Sequence, residues 1–181
     1  VSLMADTIRT RAQILALLPD GSSQAISPQD LRDAIVSSAV YGGICVRDGA
    51  PVTQGLSTTP AKLTVFDIDE PSYGVVPDST TDNDLTVPTG GDGDYDVQMS
   101  GSVSINATTT TEIRVRVNGS EPASLKVGLK MDNTSGTKEV FNAAGTIPIA
   151  AGDIVTAYVE VAAGSPTLSV YDLALRIRRL R

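Results

Sequence analysis

The densest chemistry in this chain lies in Gly91-Asp92-Gly93-Asp94-Tyr95-Asp96. Closely spaced carboxylates on a glycine-rich turn supply the hard oxygen ligands that hold Ca²⁺. The run does not close with the Glu of a full calcium loop. Asp92, Asp94 and Asp96 therefore read as a solvated acidic turn entering a strand, with a calcium site as the lesser reading and no metal expected. Catalytic chemistry has less to draw on. The 181 residues contain no His, which removes Ser-His-Asp and Cys-His nucleophiles and every imidazole metal ligand. No G-x-x-x-x-G-K-[ST] phosphate loop occurs. Carboxylate pairs occur as they do in any acidic chain, and give glycoside hydrolysis no specific support. Cys45 is the single cysteine, so the chain can form neither an internal disulfide nor a thiolate metal site, and it suits a reducing compartment. Asn106-Ala107-Thr108, Asn118-Gly119-Ser120 and Asn133-Thr134-Ser135 match the glycosylation sequon, as chance provides in a chain rich in Ser, Thr and Asn. The expectation is a non-enzymatic protein without cofactor.

Composition narrows the partners. A net charge of −7 argues against non-specific nucleic-acid binding, which needs a basic face. The charge is uneven: Asp48 to Thr110 holds ten acidic residues against one basic residue, Lys62. The end of the chain holds Arg176, Arg178, Arg179 and Arg181, read as a solvated strand end or as a contact with an acidic partner. No apolar run approaches the ~20 residues that span a bilayer, and Asp6 with its polar neighbours breaks a signal-peptide layout. Synthesis in the cytoplasm, with no membrane partner, is the expectation. Apolar residues make up 41% of the chain while aromatics make up 4% and Trp is absent. The core must be aliphatic.

The elements that carry these residues fall into two kinds. Residues 1–43 read as a helical hairpin. Helix one is predicted from about Thr7 to Leu18, capped by Asp6, with Ile8, Ala12, Leu15 and Leu18 at helical spacing, and it is stopped by Pro19-Asp20-Gly21. Helix two begins at Ser27-Pro28-Gln29-Asp30, a cap, a first-turn proline and a capping-box acid. Leu31, Ala34, Ile35 and Ser38 line one face, and Gly42-Gly43 is read as the stop. Helices this short are marginal alone. Their stripes either pack on the chain's own body or, as we prefer, dock on another protein through Ile8, Ala12, Leu15, Leu18, Leu31 and Ile35.

Residues 44–60 read as a linker or irregular arm, and 61–181 as a β domain. Period-two alternation marks Leu63–Val65, Tyr95–Ile105, Ile113–Val117, Leu125–Met131 and Val155–Val161. In the last segment Leu168 and Val170 share one phase, while Leu173, Leu175 and Ile177 take the other. Such a switch signals a bulge or a strand buried on both faces, as at a subunit contact. Turns fall at Asn118-Gly119, Asn133 to Gly136, Ala151-Gly152-Asp153 and Gly164-Ser165-Pro166. Seven to nine strands at this spacing predict a mainly β, antiparallel jelly-roll sandwich.

The order Ala61–Ile68, Asn83–Pro88, Gly93-Asp94-Tyr95-Asp96-Val97 and Ala151-Gly152-Asp153-Ile154-Val155 resembles the C1q/TNF-like jelly roll, in which a Gly-x-Tyr-x-Val strand and a Gly-Asp-x-Val strand recur. The hairpin, Thr10 to Leu18 and Ile26 to Asp33, resembles a segment that precedes exposed β modules in bacteriophage virion proteins. The first resemblance implies a homotrimer, with Leu173, Leu175 and Ile177 replacing aromatic packing at the threefold contact. Together they imply a virion part on the capsid surface, assembled in the host cytoplasm. It would be a capsid decoration, cement or head-fibre protein bound to the major capsid protein or another virion protein. A tail-fibre or tail-tip module binding a receptor or glycan is the alternative.

Overall fold

A computed structural model describes residues 8–17, 27–47, 50–120, 128–133 and 136–180. Among the described residues two helices precede twelve strands: α1 (Arg11–Leu17) and α2 (Pro28–Ser37), then β1 (Tyr41–Val46), β2 (Val52–Gly55), β3 (Ala61–Lys62) and β4 (Ile68–Asp69). There follow β5 (Val76–Asp78), β6 (Asp84–Thr86), β7 (Gly93–Ile105), β8 (Thr109–Val117) and β9 (Gly128–Asn133). The last three are β10 (Lys138–Ile149), β11 (Ile154–Val161) and β12 (Thr167–Arg179). One sheet runs β10-β7-β12-β1-β4, with β2 also on β12. The other runs β5-β6-β11-β8-β9, with β3 also on β11. Every pairing is antiparallel, and the chain crosses repeatedly between the sheets, as from β6 to β7 to β8 and from β9 through β10 and β11 to β12, which is the jelly-roll path.

The core lies between the sheets and is aliphatic, as composition required. Ile44, Leu63, Leu85, Val97, Met99, Ile113, Val115, Val155 and Leu168 are among its buried members. Its aromatic members are Phe66, Phe141 and Tyr95. Fully buried, Tyr95 donates its hydroxyl to Gly91 O at 2.7 Å, and burial pushes the phenol up to about 12.

The phase switch in the last strand is a β-bulge. The register of β12 on β7 slips between Val170 and Asp172, so Leu168 and Val170 point inward before it and Leu173, Leu175 and Ile177 after it. The bulge presses β12 onto β7 at Gly101, where an added Cβ would meet Asp172 O and lie 3.0 Å from Leu173 Cα. Asn118 and Gly119, with φ of 50° and 75°, form the tight turn expected of that dipeptide, closed by reciprocal bonds of 2.9 Å between Val117 and Ser120.

Several expectations are corrected. Residues 41–46 are a central strand, β1, paired with β12 along its whole length, and the 44–60 segment also contributes β2. Gly42 and Gly43 are therefore packing residues and not a helix stop. A Cβ on Gly42 would meet Val75 at 2.7 Å, and one on Gly43 would crowd Glu70 and the Arg176 stem. Helix α2 ends instead at Ser37 with Ser38 as its C-cap. The strand expected from Ala61 is reduced to β3 and β4, although Leu63 and Val65 still reach the core. Strand β10 was not expected at all.

Candidate functional site

The hairpin is the first candidate, and its local signals hold. In α2 the capping box is complete: Asp30 N donates to Ser27 Oγ at 3.1 Å and Ser27 N to Asp30 Oδ2 at 3.0 Å. Helix α1 starts later than expected, at Arg11. Thr10 and Gln13 provide its box, with Gln13 N donating to Thr10 Oγ1 at 3.3 Å and Thr10 N to Gln13 Oε1 at 2.9 Å. The expected cap Asp6 and the anchor residue Leu18 lie outside the described residues.

The hairpin is amphipathic in the inverted sense. Asp33 is fully buried, while Leu15 is 60% exposed, Leu31 54% and Ile35 60%, with Ala12 exposed beside them. Asp33 accepts from Arg9 Nε at 2.6 Å and from Gln29 Nε2 at 2.7 Å, so its buried charge is neutralised and hydrogen-bonded. An ordinary surface helix buries its apolar stripe and shows its charges. Here the acidic Asp33 is the buried side chain, while the apolar Leu15, Leu31 and Ile35 face out.

A short strap fixes this orientation. Ile8 does not belong to the exposed stripe. It packs against the chain's own core, with its δ-methyl over Gly74, and this corrects its expected docking role. Gly74 and Gly90, both at positive φ, lie under the strap, and a side chain at either would collide with Ile8. Arg179 locks the same region. Nearly buried, it donates to the carbonyls of Arg9 at 3.1 Å, Gly90 at 3.3 Å and Asp92 at 2.5 Å. Of the terminal arginines, Arg179 is thus an internal brace rather than a solvated end. Arg181 lies outside the described residues.

A second feature is a cleft of about 680 Å³ on the outer face of the β12–β1–β7 sheet, beside the C-terminus of α2. Glu70 sits on its wall and takes Arg176 in a bidentate pair, Nε to Oε2 at 2.5 Å and Nη2 to Oε1 at 2.6 Å. Arg47 adds a bond of 3.1 Å to Oε1. The Arg176 guanidinium holds the Glu70 carboxyl below the usual carboxylate range, against burial, which works the other way. Burial pushes the neighbouring Cys45 thiol up, leaving it a packing residue.

The remaining candidates separate. Asp92 Oδ1 accepts from Ala151 N at 3.1 Å, and Asp96 Oδ2 from Gln98 Nε2 at 2.9 Å. Among the described residues no three His, Cys, Asp or Glu side chains converge as metal ligands. Leu173, Leu175 and Ile177 are buried inside their own chain, so they cannot form a contact with another copy. Strand alternation turns Ala174, Arg176 and Arg178 to the opposite, outer face. Asn118 is committed to the turn, bonding Asp153 at 2.7 Å and Ile154 N at 2.9 Å. Sequence reasoning missed Arg9, Asp33 and Glu70 and the bracing role of Arg179: Arg9 meets Asp33 across 24 positions, Glu70 meets Arg176 across 106, and Arg179 bonds backbone carbonyls. No local spacing could announce them.

No protein-family profile matches this chain, and no characterised protein matches it in sequence. Solved structures do match in fold. Eiger TNF from S. frugiperda superposes with a TM-score of 0.53 at 12% identity, over 80% of this chain and 94% of that one. The PRD1 vertex protein P5 superposes with a TM-score of 0.52 at 12% identity, over 80% of this chain and 98% of that one. The chain is therefore a TNF-like jelly roll carrying an N-terminal helical hairpin. That fold is shared with Eiger TNF and with the PRD1 vertex protein P5 alike.

Proposed function

We propose that this chain is a non-enzymatic structural protein of a bacteriophage virion. It acts as a trimeric capsid decoration, cement or head-fibre protein, mounted on the capsid surface through its helical hairpin. The observation that carries this reading is the inverted hairpin, with Asp33 buried and Ala12, Leu15, Leu31 and Ile35 turned outward. A rigid outward apolar stripe is what a mount needs. Fully burying a Leu or Ile side chain contributes about 1.5–3 kcal/mol, and three copies on one particle multiply the gain without new contacts. The fold shared with the PRD1 vertex protein supports a place at a virion exterior. The capsid acceptor is the major capsid protein or another virion protein, and assembly takes place in the host cytoplasm.

The test is co-sedimentation of the full-length chain with particles stripped of it. Leu15→Asp, Leu31→Asp and Ile35→Asp together should abolish binding, with an unchanged melting temperature and oligomer mass. Wild-type binding by the triple variant would overturn the proposal.

A further inference from the structure

The cleft beside α2 has no part in the mounting scheme, and its lining is specific enough to name a ligand class. Tyr41 stands on its rim with 41% of its surface exposed, at the start of β1. The bridge between Tyr41 and Tyr73, with bonds of 2.9 and 2.8 Å, fixes the backbone that carries the ring. Gly42 and Gly43 follow, packed against Val75 and against Glu70 and the Arg176 stem, so the chain beside the ring is held closely. On the facing strands lie Asp96, Gln98, Arg176 and Arg178, in register as the pairs Arg178–Asp96 and Arg176–Gln98. All four face outward into the cleft.

These groups are already oriented. Gln98 donates its amide to Asp96 Oδ2 at 2.9 Å, which leaves Asp96 Oδ1 and the Gln98 carbonyl as acceptors. Glu70 holds Arg176 in a two-point grip, whereas Arg178, two positions on, is outside that pair and offers its fork of donors. Two carboxylates and two guanidiniums make the lining electrically balanced. That disfavours a phosphate or sulfate ester, which would need a surplus of cations. Planar donors and acceptors beside an exposed aromatic ring suit a neutral, polyhydroxylated ligand. Vicinal hydroxyls both give and accept hydrogen bonds, and the C–H face of a pyranose ring lies on an aromatic side chain. The volume of about 680 Å³ falls in the range of small-molecule sites, roughly 300–1,000 Å³.

We infer that this cleft is a carbohydrate-binding site for one or two neutral sugar rings. Tyr41 is the stacking platform, and Asp96, Gln98 and Arg178 bond the hydroxyls. Glu70 is a positioning residue that acts through Arg176. The site does not depend on the mounting role, because the free full-length chain presents it without a particle.

Saturation-transfer NMR on the full-length chain tests this with glucose, galactose, mannose, N-acetylglucosamine and lactose as probes. At least one sugar should receive saturation, and backbone amide shifts at Tyr41, Gln98 and Arg178 should move with it. Tyr41→Ala and Gln98→Ala should each weaken that binding tenfold or more. Absence of transfer to every sugar, shifts that map elsewhere on the surface, or undiminished binding by both variants would each overturn the inference. The shift map on the wild-type chain decides the matter even if a variant fails to fold.

Discussion

Replacing Leu175 by Ala separates a core role for the last strand from an interface role. Leu175 is fully buried in the isolated chain, in the middle of β12, flanked across the ladder by Met99 of β7 and Ile44 of β1. Both neighbours are themselves fully buried and held in long antiparallel pairings, so the site has little freedom to collapse around the lost atoms. Leu-to-Ala changes in such sites cost about 2.7–5.0 kcal/mol, rising with the cavity that remains. The rigid surroundings place this one in the upper part, about 3–5 kcal/mol. For a domain of this size that lowers the melting temperature by about 6–20 °C. Urea unfolding at two protein concentrations tenfold apart gives the assay, with native mass spectrometry alongside. The loss should be the same at both concentrations, and the oligomer mass should match that of the wild type. A loss under about 1 kcal/mol accompanied by dissociation into monomers would refute the core assignment.

Two further outcomes are expected. The Glu70 carboxyl is held below its ordinary value of 4.5 by Arg176 and then Arg47, so its contribution is full above that value and is lost as pH falls below it. The melting temperature of the wild type should therefore fall as pH drops below about 4.5, and Glu70→Gln, less stable at neutral pH, should lose less over the same range; parallel curves would contradict the pairing. Asp33→Ala removes the buried carboxylate that joins Arg9 to Gln29, at a local cost of about 1–3 kcal/mol. Hydrogen exchange in α2 should quicken by about tenfold while exchange in β7 and β12 stays unchanged, and equal quickening throughout would show that the hairpin is not a separate unit.

How much of this was legible in the residues varies with the range of the interaction involved. Ser27-Pro28-Gln29-Asp30 announced α2 because a capping box is closed within four residues. Tyr95 to Ile105 announced β7 because one buried face imposes a two-residue period. The change of phase after Val170 announced the bulge for the same reason. Strand β10 stayed hidden because it is a sheet edge, where Val140 can be exposed beside buried Phe141 and where Gly145 and Pro148 are tolerated. Strand β1 stayed hidden because Gly42-Gly43 reads locally as a stop. The reason for those glycines, the pressure of Val75, Glu70 and Arg176, comes from distant parts of the chain.

The acidic run Gly91 to Asp96, the residues of densest chemistry, shows the same division. Its spacing allowed a cation site. The fold spends Asp92 on a backbone amide of the β10–β11 turn and Asp96 on Gln98. The sequence by itself determined the class of fold, the aliphatic core, the helical N-terminal segment and the absence of imidazole chemistry, since each depends on composition or short-range period. Only the tertiary structure decided which side of the hairpin faces out, which face of the last strand is core, and which side chains meet in the cleft. Those outcomes depend on contacts between residues far apart in the chain, such as Arg9 with Asp33 and Glu70 with Arg176, and local spacing carries no record of them.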